Sequence, residues 1–412
     1  MSAPTGPYAA LQIRDFRLFI SARFMVTLAI QIQAVVVGWQ VYEITKDPLS
    51  LGLIGLAEAI PSIAVSLYAG HVADVVERKK IIVICIATLL VCSSALLFFT
   101  LPLGSFVITY GVFPIYAVIF ISGIARGFIT PAIFSFMPQL IPRTLYANAI
   151  TWNSTLWETA AIGGPALGGF LFGFFGITAA YAVDVLLTLA GLLLALGVAS
   201  KPLPPESEEA GIWQKIKAGL KFVFSNQIIL GAISLDLFAV LFGGAVALLP
   251  IFASEILQVG PQGLGILRSA PAIGALLVAL YITHHPIKKN MGAILLWCVA
   301  GFGLCMIGFG ISTSFWLSLF FLVASGGFDC VSVIIRGTLL QTLTPENMKG
   351  RVSAVNNIFI GSSNEIGAFE SGVAARLLGV VPSVIFGGCM TIGVVAVTAR
   401  VAKSLRKLQK LE

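Results

Sequence analysis

The sequence predicts an all-α integral membrane protein of twelve transmembrane helices in two pseudo-symmetric six-helix bundles. Three observations predict it. Of 412 residues, 58% are hydrophobic and only 10% are charged. A soluble domain carries roughly 25% charge, so a chain this apolar needs lipid to cover it. The apolar residues also fall into twelve stretches, each at or above the roughly 20 residues that cross a bilayer. Finally, the halves share an internal repeat. At an offset of 203, Ser122, Gly123, Leu140, Pro142, Asn153, Gly164, Gly169 and Gly176 fall on Ser325, Gly326, Leu343, Pro345, Asn356, Gly367, Gly372 and Gly379. At an offset of 210, Gly55, Pro61 and Lys79 fall on Gly265, Pro271 and Lys289.

Met1 to Asp15 is expected to be a short cytoplasmic lead. The first apolar stretch is long and lacks a small-residue cleavage site, so it reads as a retained helix and not a signal peptide. Spans are expected at 16–44, 48–74, 79–101, 107–141, 146–175 and 177–199. Ser200 to Ala210 holds three prolines and three glutamates and reads as a linker. An amphipathic stretch follows, with Ile212, Trp213, Ile216, Leu220, Val223 and Phe224 on one face and Lys215, Lys217 and Lys221 interspersed. It is expected to lie on the membrane surface. Six more spans follow at 226–257, 261–285, 290–312, 315–343, 348–378 and 381–402. The domains are therefore 1–199, a linker with the amphipathic helix at 200–225, and 226–412 with a basic tail.

Charge placement sets the orientation. Nineteen of the 25 Lys and Arg lie at the termini or in alternate loops, while the other loops hold only Lys46 and Arg376. The positive-inside rule then puts both termini in the cytoplasm. It also accounts for the net charge of +7 without nucleic acid. All six cysteines lie inside apolar spans, as small packing residues. There is no Gly-x-x-x-x-Gly-Lys-Ser/Thr loop, no metal-protease His pair and no serine-hydrolase elbow. His284 and His285 are adjacent and point to different faces of a helix. No enzymatic activity, cofactor or metal site is expected.

The stretch GHVADVVERKK, Gly70 to Lys80, joins spans two and three. Gly70 is expected to let two helices approach, and Asp74 and Arg78 to form a charged hairpin in water. This spacing of Gly, Asp and Arg resembles the loop signature of the major facilitator superfamily, with Val75 and Glu77 departing from it. In the second half His284 stands in place of the Asp. SARFMV, GGPALGG (Gly163 to Gly169), LDLFAVLFGGAVALLP and TPENMKGRVSAVNN look like the enterobactin (siderophore) exporter-like efflux branch of that superfamily. The resemblance implies the major facilitator fold, alternating access and proton-driven export from the cytoplasm. It also implies that spans two and eleven meet, as do spans five and eight. That brings Glu58 toward Glu365, and Glu158 toward Arg268.

Charges at membrane depth each cost about 2.5–3.5 kcal/mol, so they need a reason. They either pair to hold the bundle together or face a polar cavity. Glu58, Arg126, Glu158, Arg268, Asp329 and Glu365 lie well inside, Asp236 and Arg336 lie nearer the cytoplasmic side, and Asp184 and Glu370 lie in the outer half. The repeat sets Glu58 on Arg268 and Arg126 on Asp329, equivalent positions of opposite charge. Glu58, Glu365, Asp236 and Asp329 are the proton-coupling candidates, with Arg126 pairing Asp329 in the empty state. Gln33, Gln40, Arg126, Asn153, Trp157, Asn356, Asn357 and Asn364 are the substrate-cavity candidates. Each Trp can equally be an interface anchor. Gly70, Asp74, Arg78, Glu158 and Arg268 are the gating candidates. Asp74 is expected to cap the start of span eleven near Lys349 to Arg351.

The expected function is export of a small siderophore-like or drug-like amphiphile by proton antiport, from a bacterial inner membrane. The partners are the lipid bilayer, the substrate and protons, and the protein is expected to be a monomer. The alternatives are a facilitator or importer of a metabolite or lysolipid, and a non-transporting receptor.

Overall fold

A chain crossing lipid must satisfy its backbone hydrogen bonds internally, and the apolar stretches do so as helices. The computed structural model describes residues 6–101, 109–202, 212–285, 287, 289–345, 348–406 and 408. The long helices are α1 (Arg14–Thr45), α2 (Pro48–Val75), α3 (Arg78–Phe99), α4 (Phe113–Phe136) and α5 (Tyr146–Leu196). The shorter α6 (Ile212–Ser225) precedes α7 (Gln227–Gly243), α8 (Gly260–His284), α9 (Met291–Ile311), α10 (Phe315–Leu343), α11 (Lys349–Leu378) and α12 (Val380–Val401). Ten helical stretches are long and apolar enough to cross a membrane. No strand occurs among the described residues.

The helix α5 has 51 residues, roughly 75 Å at 1.5 Å per residue, far more than one bilayer. It is broken at Gly176, where φ is 85° and ψ 171°, a conformation essentially reserved for glycine. Its repeat equivalent Gly379, between α11 and α12, has φ 93° and ψ 158°. Both glycines sit where the sequence predicts one span to end and the next to begin.

The chain divides into two compact units. The first contains residues 1–46, 57–207 and 260–269; the second contains 47–56, 208–259 and 270–412. Each includes a short piece of helix from the other half of the sequence. In the first unit α5 meets the start of α8 at glycines. A Cβ on Gly265 would lie 2.6 Å from the Pro165 carbonyl oxygen and 3.0 Å from Gly169 Cα. GGPALGG is thus a close backbone contact. Ser269 Oγ adds a hydrogen bond to the Ile162 carbonyl at 2.7 Å. In the second unit the start of α2 meets α11 likewise: a Cβ on Gly372 would lie 2.9 Å from Gly52 Cα.

One expectation is corrected and one is narrowed. A Cβ on Gly70 would meet nothing within 4 Å among the described residues, so no described helix approaches there closely enough to require the small residue. The end of α6 packs on protein: Val223 is fully buried in a cluster with Ile229, Ile233, Val352 and Val355, and Leu220 packs against it, while Phe224 on the predicted apolar face stays exposed. Lys217 and Lys221 remain exposed. The start of α7 is fixed by Asn226, whose side chain accepts from the Ile228 and Ile229 amides.

Candidate functional site

In the first unit α1, α3, α4 and α5 enclose a cavity of about 260 Å³. Four-residue spacing builds its polar walls. Arg23, Thr27 and Gln31 share one face of α1, and Arg126 and Thr130 share one face of α4. Lys79 from the first turn of α3 and Trp157 from α5 complete the polar lining, and most other lining residues are apolar. No carboxylate among the described residues lines it.

The three cations have different partners. Arg126 forms an ion pair with Glu58 of α2. The Lys79 ammonium donates to the Leu196 carbonyl at 3.0 Å. The Arg23 guanidinium donates to the side-chain oxygen of Asn153. Of the residues predicted from sequence, the structure therefore brings Arg126 and Trp157 to the cavity wall, with Glu58 and Asn153 immediately behind it.

The second unit holds a separate charged cluster. Asp236 of α7 and Arg336 of α10 form an ion pair, and their side chains are only 9% and 5% exposed. Asp329, two helical turns before Arg336, shares with Asp236 and Ser332 a chamber of about 10 Å³. That is about the space of one water. Ser332 Oγ is buried and has no hydrogen-bond partner among the described residues.

The other predicted residues are placed as follows. Gln33 does not line the cavity; its amide donates to Asp184 Oδ2 at 3.2 Å and to Ser93 Oγ at 3.4 Å. Gln40 is buried and accepts from the Tyr181 hydroxyl at 2.6 Å. Both glutamines belong to a polar seam joining α1, α3 and α5, so the expectation that they extend the cavity is corrected. The seam satisfies buried polar groups that have no water. Asn356 keeps a buried side-chain oxygen without a partner among the described residues, and Asn364 is exposed. The Glu365 carboxylate would lie 3.5 Å from a Cβ on Gly55 of α2. The side chains of Asp74, Asn357 and Arg351 lie outside the described residues.

Arg78 binds carbonyl groups at two helix ends, with Nε to Ala73 at 3.1 Å and a terminal nitrogen to Ser135 at 3.2 Å. A cation there complements the negative ends of α2 and α4. Beside it, hydrogen bonds from Ser200 and Lys80, with the nearby lysine charges, hold the Glu77 carboxyl below its ordinary range. Arg268 donates to the Ala34 carbonyl at 3.1 Å, and Glu158 has no ion-pair partner among the described residues. Glu158 and Arg268 therefore do not form the expected pair among the described residues. The reading of depth overlooked Arg23, although a lone cation nine residues into an apolar helix was visible. Ser332 carried no signal: nothing in a serine's neighbours along the chain marks it as unpartnered.

Comparison with known proteins agrees with this architecture. The family model of transmembrane secretion effectors matches residues 5–411. The enterobactin exporter EntS of Shigella dysenteriae serotype 1 is 26% identical over 383 residues, covering 92% of this chain and 90% of that protein. EntS of Escherichia coli O1:K1 matches with the same identity and coverage. Among solved structures, the POT family transporter PepTSo superposes with a TM-score of 0.71 at 13% identity, covering 95% of this chain and 98% of its own. The inward-open xylose transporter XylE from E. coli gives 0.66 at 13%, covering 96% of each chain. These last two establish the shared fold.

Proposed function

The chain belongs to the transmembrane secretion effector family of major-facilitator transporters, and on that premise we propose that it exports a small organic amphiphile by proton antiport. The relatives named enterobactin exporters support the outward direction. The observation that carries the reading is the cation-walled cavity among α1, α3, α4 and α5. Packing alone gives no reason to keep several charges around a void inside a bilayer, where each is costly. Counting the two limbs of α5 and the more polar α11 gives the twelve spans of a transporter that alternates access between two bundles.

Proton coupling is assigned first to Asp329. Asp236 is paired with Arg336 and Asp329 shares its chamber, so among the described residues the cluster holds one carboxylate more than it has guanidinium groups. A single proton neutralises it, and the one-water chamber is its route. Glu58 is engaged by Arg126, which makes it a second candidate beside Glu365. Proton and substrate then occupy different units, and their coupling runs through the conformational equilibrium that both bias. Gating is assigned to the Gly70–Lys80 loop, including Asp74 and Arg78, together with Glu158 and Arg268. The protein is read as an inner-membrane monomer with both termini in the cytoplasm.

Substrate-induced proton release in unbuffered detergent solution tests the coupling. The parent releases protons on substrate addition and Asp329→Asn does not. Full release by Asp329→Asn, with loss in Glu58→Gln or Glu365→Gln, moves the carrier to those residues. No release by any of them removes antiport and leaves a facilitator.

A further inference from the structure

We propose that the cavity of the first unit selects organic anions, and that Arg23 is the residue that reads the negative charge. The inference rests on the transporter reading and names the substrate class of the same site. Among the described residues three cations line the cavity and no carboxylate does. Arg126 is matched by Glu58 behind the wall. Arg23 is not matched: it donates to the neutral side chain of Asn153, and no carboxylate among the described residues pairs with it.

A partly buried cation whose one side-chain partner among the described residues is a neutral amide is an expensive arrangement, and it becomes favourable when an anion enters. Guanidinium offers five donors in a planar fork, and Asn153 engages one terminal nitrogen. The remaining donors match the paired oxygens of a carboxylate, sulfonate or phosphate. Asn153 fixes the Arg23 side chain from behind, so little ordering is left for the ligand to impose. The rest of the wall suits an apolar body: Phe19, Ile86 and Ile133 surround the cavity, and Trp157 presents a half-exposed indole face.

The ligand class is therefore a compact organic anion with an aromatic or aliphatic body. Lys79, at the start of α3, and Arg23, nine residues into α1, line the same void. They form a graded positive path from the end of the bundle inward.

The full chain in phosphatidylcholine nanodiscs tests this by equilibrium dialysis, with empty nanodiscs subtracted. The probes are dansylglycine, its uncharged amide dansylglycinamide, and dansyl sulfonate and phosphate analogues. The inference predicts that dansylglycine binds at least tenfold more tightly than its amide. Arg23→Gln should erase that preference and Arg23→Lys retain part of it. Asn153→Asp keeps Arg23 but gives it an internal counter-ion, so it should also erase the preference, whatever the folding of Arg23→Gln.

Equal binding of acid and amide, no binding of any anionic probe, or an unchanged preference in Asn153→Asp overturns the inference. Nanodiscs containing phosphatidylglycerol separate two sources of the anion. Displacement of the probe identifies a lipid headgroup, and unchanged binding identifies a free solute. Flux of dansylglycine in vesicles is read separately: flux without Arg23 dependence overturns the anion site and leaves transport standing, while binding without flux does the reverse.

Discussion

Asp236 and Arg336 illustrate what a charge requires inside a bilayer. Each alone would be a buried, unpaired ion; together they form a pair less than a tenth exposed. Removing one partner of such a pair costs about 3–5 kcal/mol, while replacing both with apolar residues of similar volume is near neutral. Unfolding in detergent should therefore show Arg336→Met strongly destabilised and Asp236→Leu with Arg336→Met much less so. Equal losses would show that the pair is not formed. Glu77 gives a pH test at the same scale. Its carboxyl is held below its ordinary value by Ser200 and Lys80, so its contribution is fully present above the unfolded value. It is lost as pH falls through the lower folded value. The stability difference between the parent and Glu77→Gln should appear at neutral pH and vanish in acid; a difference that grows in acid contradicts the assignment. The intramembrane charges themselves were legible in the sequence, because each interrupts an apolar run. Their partners were not. Asp236 and Arg336 lie in α7 and α10, and nothing along the chain links them. Arg126 was expected beside Asp329 when empty and instead meets Glu58.

At the scale of elements, the helix boundaries were the most legible feature. Hydropathy fixes where a chain can lie in lipid, and glycine marks where it must turn. Gly176 and Gly379 were visible both as span ends and as repeat partners, and both adopt positive φ. Gly176→Ala should cost about 1–3 kcal/mol, because the side chain strains that conformation. Glycines that permit close approach are harder to read. Gly265 abuts Pro165 and Gly169, whereas Gly70 meets nothing within 4 Å among the described residues, yet both look like small residues in apolar helices. Thermal unfolding separates them. Gly265→Ala should lose about 1–3 kcal/mol through overpacking. Gly70→Ala should be neutral or gain up to about 1 kcal/mol of helix propensity. Comparable losses at both positions would contradict the contact geometry. The α6 helix shows the opposite limit. Its amphipathic pattern predicted an apolar surface to cover, but the pattern does not tell Val223, which packs on α7 and α11, from Phe224, which stays exposed.

For the whole molecule, the repeat and the asymmetry of Lys and Arg carry the account. On a background without the native cysteines, an external thiol reagent should reach a cysteine at position 46 and not one at position 79; the reverse would invert the topology. In the proposed export direction, an anion leaving the cell moves with the membrane potential. That contributes about 2.3 kcal/mol per charge per 100 mV, and the pH gradient adds to it through the proton. The most direct test of proton-driven export is uptake into everted inner-membrane vesicles. Dansylglycine and its amide are offered with and without an imposed pH gradient, to the parent and to Asp329→Asn. The account predicts uptake of the acid that rises with the gradient in the parent and loses its gradient dependence in Asp329→Asn. Uptake indifferent to the gradient in the parent would contradict it.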